Sequence, residues 1–198
     1  MLLSSQPDFE VVLEVGSGEE FLQAQQQAQA NVVFMDYSMP GIDGAETSER
    51  ALAMDAELKI ISLSMFGDNA YYSKMVAAGA KGFLVKDSDF EEVLTAIRTV
   101  SDGGTYFSPQ LMEAISFSMR SDPYSVGGEI AEEDRLSERE VEILVGICQG
   151  LSTQEIADKL YISKRTVDKH RANILEKSGS KNTASLVVYA IKHGLVEI

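Results

Sequence analysis

An α/β doubly wound parallel sheet, followed by a small all-α helix-turn-helix unit, is the architecture that this 198-residue sequence predicts. Three observations predict it. Short apolar runs, each closed by a polar residue, alternate with helix-period segments over residues 10–101. Residues 120–135, poor in apolar side chains and rich in Ser, Asp, Pro and Gly, then interrupt the pattern as a linker does. Beyond them, residues 152–177 write two short helices back to back, each with its own cap and with only Tyr161 and Ile162 between them. The expected division is an α/β domain over 1–119, a linker over 120–135 and a helix-turn-helix domain over 136–198.

Taken in order, Leu2 and Leu3 lead into Ser4-Ser5-Gln6-Pro7-Asp8, the pattern of a frayed helix end followed by a turn. Residues 10–15 form a short β run and 18–29 a helix rich in Gln and Ala. The nearly continuous apolar run 31–36 is a strand that ends in the carboxylate of Asp36. A helix near 45–53, a strand over 59–64, a helix over 70–78, a strand over 82–86 and a helix over 89–101 continue the alternation. Strands this apolar must bury both sides, so the sheet is parallel with helices on both faces. Residues 103–109 read as a turn leading to a helix over 110–119. In the last domain Ser137 and Glu140 cap a helix ending at Gly150, the helix-turn-helix pair follows, and a final helix over 183–193 stops at Gly194.

A doubly wound sheet does its chemistry at the carboxyl ends of its strands. Asp36, Ser64 and Lys86 each end a different strand, so the fold brings a carboxylate, a hydroxyl and an ammonium to one rim. A carboxylate can take a phosphoryl group, a hydroxyl can hydrogen-bond its oxygens, and a lysine can neutralise their charge. The plainer alternative is that each polar residue merely ends its strand. The loop from Tyr37 to Gly44 adds a Pro and two Gly that fix a tight turn beside the carboxylate.

The formal net charge of −14 argues against a nucleic-acid partner only if it is spread evenly. It is not: residues 136–198 hold 9 Lys and Arg against 8 Asp and Glu, whereas residues 1–135 hold 8 against 23. Within 163–181 the count is 6 basic to 2 acidic, so a weakly positive patch is joined to a strongly acidic domain that suppresses loose nonspecific binding. Ser152 with Glu155 opens the first helix of the pair, which keeps Ile156, Ala157 and Leu160 on one face. Ser163 caps the second, where Val167, His170 and Ile174 make the apolar stripe and Lys164, Arg165, Lys169 and Arg171 lie mostly off it. The second helix of such a pair is the one that enters a major groove. Cys148 has no partner for an internal disulfide and falls at a helix core position, while His170 and His193 lack the companions a metal site requires. No run of 18 apolar residues and no signal-peptide pattern occurs, which points to a reducing, cytoplasmic setting without a membrane.

The segments DYSMPGIDG (36–44), ISLSMF (61–66), AAGAKGFLVKDS (77–88) and the long run from LSEREVEIL to ILEKSG (136–179) together resemble response regulators of the NarL/FixJ class. These join a flavodoxin-like phosphoacceptor receiver to a LuxR-type helix-turn-helix. The resemblance implies that Asp36 is the phosphorylated aspartate, Ser64 the switch hydroxyl, Lys86 the phosphate-binding lysine and Phe83 the aromatic that reorients when Ser64 is drawn to the phosphoryl group. It also implies a sensor histidine kinase as donor, a homodimer on two-fold related double-stranded DNA, and Mg²⁺ held by Asp36, the Ser38 carbonyl and an acidic pair at the end of the family's first strand. That pair, its strand and most of a helix have no counterpart before Leu2. A shortened chain or misplaced start, a sheet closed by another chain's segment, and a receiver without metal-dependent phosphorylation all remain open. The missing strand is central in the family's 2-1-3-4-5 order, so the 10–15 strand is expected to lack its neighbour and to expose apolar flanks. Through Asp36 and waters alone Mg²⁺ is held weakly, and the polypeptide as written is expected to be poorly phosphorylated.

On the second helix of the pair, Lys169 and then Arg165 are the expected base-edge contacts, since a cation reaches the guanine acceptors in the major groove. By resemblance Asp168 and Ala172 take the neighbouring groove-facing positions, while Thr153, Lys164, Thr166 and Arg171 hold phosphates. In LuxR-type effectors the last helix mediates dimerisation, implied here for Val188, Tyr189 and Lys192; closure of the core is the alternative. Three functions follow: a transcription regulator gated by its receiver, a degenerate receiver that works by partner binding without phosphate, and an enzyme turning over a phosphorylated small molecule at Asp36, for which no substrate-pocket motif is present.

Overall fold

In the computed structural model the described residues are 3, 6–65, 69–112 and 135–196. The expected linker, apart from Arg135, and most of the expected helix over 110–119 lie outside them. In chain order the elements are α1 (Gly18–Ala28), β1 (Val32–Asp36), α2 (Gly44–Met54), β2 (Lys59–Ser64), α3 (Asn69–Ala77), β3 (Gly82–Val85), α4 (Phe90–Ser101), β4 (Tyr106–Phe107), α5 (Glu138–Cys148), α6 (Thr153–Leu160), α7 (Lys164–Ser178) and α8 (Thr183–Lys192).

Local chemistry sets the helix starts. The side chains of Ser17, Asp43 and Asp89 accept from the backbone N–H three residues on, which opens α1, α2 and α4. The sheet runs β1-β2-β3-β4, every pair parallel, with Phe34 opposite Ile61, Ile61 opposite Gly82 and Phe83 opposite Phe107. Alternation along the strands separates two cores. Met35, Ile60 and Phe83 bury with Phe21, Ala51, Tyr72 and Met75 from the α1–α3 side. Ile61 and Leu84 bury with Ala96, Ile97 and Val100 of α4 on the other. The doubly wound parallel sheet read from the sequence is therefore the fold observed.

Two local readings are corrected. Residues 10–15 are not a strand: no regular structure forms there, and Val11, Val12 and Val15 are exposed. A strand exists through its ladder, and no described strand lies beside β1 on that side for this segment to join. The turn over 103–109 contains β4, whose two residues pair with Gly82 and Phe83. A two-residue strand flanked by Gly, Thr and Pro carries no period of its own and is made by the β3 edge.

The helical domain closes around Ile143, Leu144, Ile147, Ile156, Val167, Ile174, Leu186, Val187 and Ala190. It does not stand apart from the sheet domain. Met112 lies in its core, Phe107 packs against both cores, and Ala184 of α8 belongs to the sheet-domain cluster with Val188 and Ile191 packed beside it. Asn182, the cap of α8, donates from Nδ2 to the carbonyl of Val76 in α3 at 2.6 Å. Gly104 permits a close backbone approach between the two domains, since a Cβ there would stand 2.4 Å from the Gly150 carbonyl oxygen.

Cys148 is half-buried against the helical core, and burial pushes its thiol up to about 12. Thiolate is the reactive form, so at pH 8 a thiol reagent should label the folded chain at least about tenfold more slowly than the urea-unfolded chain, followed by absorbance of the released thiolate.

Candidate functional site

The rim forms as the strand ends require. Parallel pairing sets Asp36 level with Leu63, one residue before Ser64, and Ser64 level with Val85, one residue before Lys86. Lys86 Nζ meets Asp36 Oδ2 at 2.6 Å, both side chains about one-third exposed, and the Lys86 N–H donates to the Ser64 carbonyl. The other carboxylate oxygen of Asp36 accepts from the Ser38 N–H at 3.1 Å. Gly44 closes the loop: a Cβ there would stand 2.3 Å from the Asp36 carbonyl oxygen, and its N–H reaches the Tyr37 carbonyl. Only glycine leaves room for that return.

Ser64 is buried, and its Oγ donates to the hydroxyl of Tyr72 in α3 at 2.8 Å. Tyr37, next to the carboxylate, donates to Asp43 Oδ2 at 3.2 Å and accepts from Lys74 Nζ at 3.1 Å, with the Tyr71 ring 4.0 Å from its own. The hydrogen bond to Tyr37 holds the Lys74 ammonium above its ordinary range. Thus α3 touches the rim through Tyr71, Tyr72 and Lys74, none of which the sequence reading singled out. Their only sequence signal is that they share one short helix between two strands. Phe83 is fully buried and stacks on Phe107 at 4.6 Å between ring centres.

Among the described residues the rim is incomplete as a Mg²⁺ site. It offers the Asp36 carboxylate, with the Ser38 carbonyl the second donor expected from the resemblance, whereas Mg²⁺ demands an octahedral oxygen shell. Among the described residues no group of three or more His, Cys, Asp or Glu side chains is placed to hold a metal. The residues present do not fit a tightly held ion.

The second site is the outer face of α7. Capping boxes at Ser137 and Ser152 start α5 and α6, and Ser163 caps α7. Tyr161 adopts a left-handed conformation and its N–H, with that of Ile162, closes the end of α6 onto Asp158 and Ala157, which turns the chain sharply into α7. Val167 and Ile174 face the core, leaving Lys164, Arg165, Asp168, Lys169 and Ala172 exposed in one row and Thr166 half-exposed. Arg171 is turned inward, donating to Thr153 Oγ1 at 3.0 Å and Thr183 Oγ1 at 2.8 Å, so these hydroxyls hold its guanidinium between α6, α7 and α8. His170 is half-buried, and His193 packs against Tyr189 with the rings tilted, its imidazole lowered by burial and by Lys192.

Two charged side chains tie α5 to the helix pair, one to the end of α6 and one to α7. Arg139 of α5 donates to the Leu160 carbonyl at 2.7 Å, and Lys177 Nζ meets the buried Glu140 carboxylate at 2.8 Å. Burial alone raises the Glu140 carboxyl, but hydrogen bonds from Lys177 and Ser137 outweigh it and leave the group below its ordinary value.

Residues 1–98 match the response regulator receiver domain, and residues 134–190 match the bacterial regulatory proteins of the luxR family. The oxygen regulatory protein NreC of Staphylococcus aureus is 37% identical, over all of this chain and 92% of that protein; NreC of Staphylococcus carnosus is 33% identical over the same shares. Among solved structures, the response regulator ChrA of a heme-sensing two-component system aligns over 98% of this chain and 90% of its own at 30% identity and a TM-score of 0.51. RcsB of Salmonella enterica serovar Typhimurium, bound to a promoter, is 23% identical with a TM-score of 0.53 over 96% of this chain and 89% of its own, a likeness of fold. No described helix is long and apolar enough to cross a membrane.

A carboxylate whose folded pKa is depressed adds stability above its unfolded pKa and loses it as pH falls through the folded value. Glu140→Gln should therefore lower the urea midpoint of the chain at pH 7, and the gap from the parent should close below pH 4 or so, the ordinary carboxylate range.

Proposed function

The chain belongs to the response regulators that join a receiver domain to a LuxR-type helix-turn-helix, DNA-binding regulators of transcription and not enzymes; from that premise we propose that phosphoryl transfer to Asp36 controls its dimerisation and its grip on DNA. The donor is a partner sensor histidine kinase. The P–N bond of its phosphohistidine breaks as a P–O bond to an Asp36 oxygen forms, and the imidazole leaves with the electron pair. Lys86, already 2.6 Å from the carboxylate, neutralises the arriving oxygens, and Ser64 is the hydroxyl drawn to them.

The observation that carries the DNA part is the row Lys164, Arg165, Asp168, Lys169 and Ala172, exposed along one side of a helix whose other side is core. Lys169 and Arg165 read base edges, with Asp168 and Ala172 beside them, while Lys164, Thr166 and Thr153 hold phosphates. Arg171 reaches a phosphate only by leaving Thr153 and Thr183, so in the free protein its part is to brace α7. A homodimer on a two-fold site uses α8 around Val188, Tyr189 and Lys192. Val188 is packed against the receiver here, so docking and pairing compete for that face. The regulator works in the cytoplasm. A second reading, regulation by partner binding without phosphate, is favoured by the Asp36–Lys86 pair, which satisfies the carboxylate unaided.

A small-molecule phosphodonor with Mg²⁺ separates the two: an increase of one phosphoryl mass, lost in Asp36→Asn, supports the first, and an unchanged mass with DNA binding intact supports the second. On a duplex selected by the parent from a randomised pool, Lys169→Ala should cost about 1–3 kcal/mol and relax base preference, whereas Lys164→Ala should weaken selected and random duplexes alike, by fluorescence anisotropy.

A further inference from the structure

Helix α3 touches the phosphoacceptor rim on one side and the DNA-binding domain on the other. Toward the rim, Tyr72 accepts from Ser64 and Lys74 donates to Tyr37. Toward the effector, the Val76 carbonyl accepts from Asn182, and Tyr72, Met75 and Val76 share a buried cluster with Ala184 of α8. Asn182 also caps α8, its Oδ1 accepting from the Ser185 N–H, so the start of α8 cannot shift without disturbing this bond.

The Ser64–Tyr72 hydrogen bond is shielded from water, since both residues are at most 4% exposed. A serine hydroxyl has one proton. Directed at Tyr72, it is not available to a phosphoryl oxygen on Asp36; directed at the phosphoryl group, it no longer ties β2 to α3 at this point. Phe83, the aromatic that the family resemblance assigns to the switch, is fully buried and already stacked on Phe107, so in this state it has no outward position to surrender.

We propose that Tyr72 is the positioning residue for the switch hydroxyl: it holds Ser64 in the resting state, and the loss of that bond loosens α3 and with it the docked helix α8. The proposal rests on Asp36 as the phosphoacceptor only for what draws Ser64 away. The resting bond and its link to α8 stand without it.

The test uses the full chain without phosphodonor and the selected duplex described above. Tyr72→Phe should tighten DNA binding by about fivefold or more, the lower end of ordinary allosteric coupling, and should speed hydrogen exchange across residues 183–192. Ser64→Ala cuts the same bond from the strand side. The double variant should change less than the two single variants summed, because the shared bond cannot be lost twice. A purely structural tyrosine would lower the thermal midpoint with no gain in DNA binding and would add to Ser64→Ala. Tyr72→Phe in an Asp36→Asn background should keep its gain, so a parent that takes no phosphoryl group overturns the acceptor reading while leaving this one in place. Unchanged DNA binding and exchange in Tyr72→Phe, or additive effects with Ser64→Ala, overturn the proposal. Should Tyr72→Phe not unfold cooperatively, Ser64→Ala decides by the same exchange measurement: faster exchange over 183–192 supports it, unchanged exchange overturns it.

Discussion

One helix with two apolar faces governs the arrangement of this molecule. α8 buries Leu186, Val187 and Ala190 in the core of its own domain and Ala184 in the core of the receiver, with Val188 and Ile191 half-buried along the join. A helix that is apolar over most of its circumference has no side to give to water. Its own domain covers one face, and something must cover the other. In this state the cover is α3 of the receiver, fastened by the bond from Asn182 to Val76. The proposed dimer draws on the same face, so the choice between a docked and a paired α8 is a choice between two covers for one apolar surface, and whatever shifts α3 shifts that equilibrium.

The electrostatics run in the same direction. The acidic receiver lies against a domain whose charges nearly balance, and the positive row on α7 is the part of that domain that points to water. Long-range repulsion between the receiver and a phosphate backbone weakens nonspecific contact without touching the row itself. Inside the receiver, the Asp36–Lys86 pair is open to solvent on one side. Its net contribution to stability is small, and it can be rearranged by an arriving phosphoryl group at little cost.

Strand ends and caps were legible from residues close together in the chain. Asp36, Ser64 and Lys86 were expected on one rim because parallel strands all end on the same side, and that is where they lie. Ser137, Ser152 and Ser163 were expected to start helices because their side chains reach only three residues ahead. The row on α7 followed from the 3.6-residue period. Residues 10–15 and β4 went the other way for one reason: a strand is made by its neighbour, and apolar pattern alone cannot say whether a neighbour is present.

The chain by itself thus determined the alternation of strands and helices, the capped pair with its cationic outer face and the identity of the three rim residues, all set by interactions within a few positions or by the common direction of the strands. Tertiary structure alone decided that Tyr72 accepts a hydrogen bond from Ser64, that Lys74 reaches back to Tyr37, that Arg171 turns inward to two threonines, and that Asn182 bonds a carbonyl 106 residues away. Those contacts depend on the rotation of α3 about its axis and on which surface covers α8, and both are settled by packing between elements that no local pattern encodes.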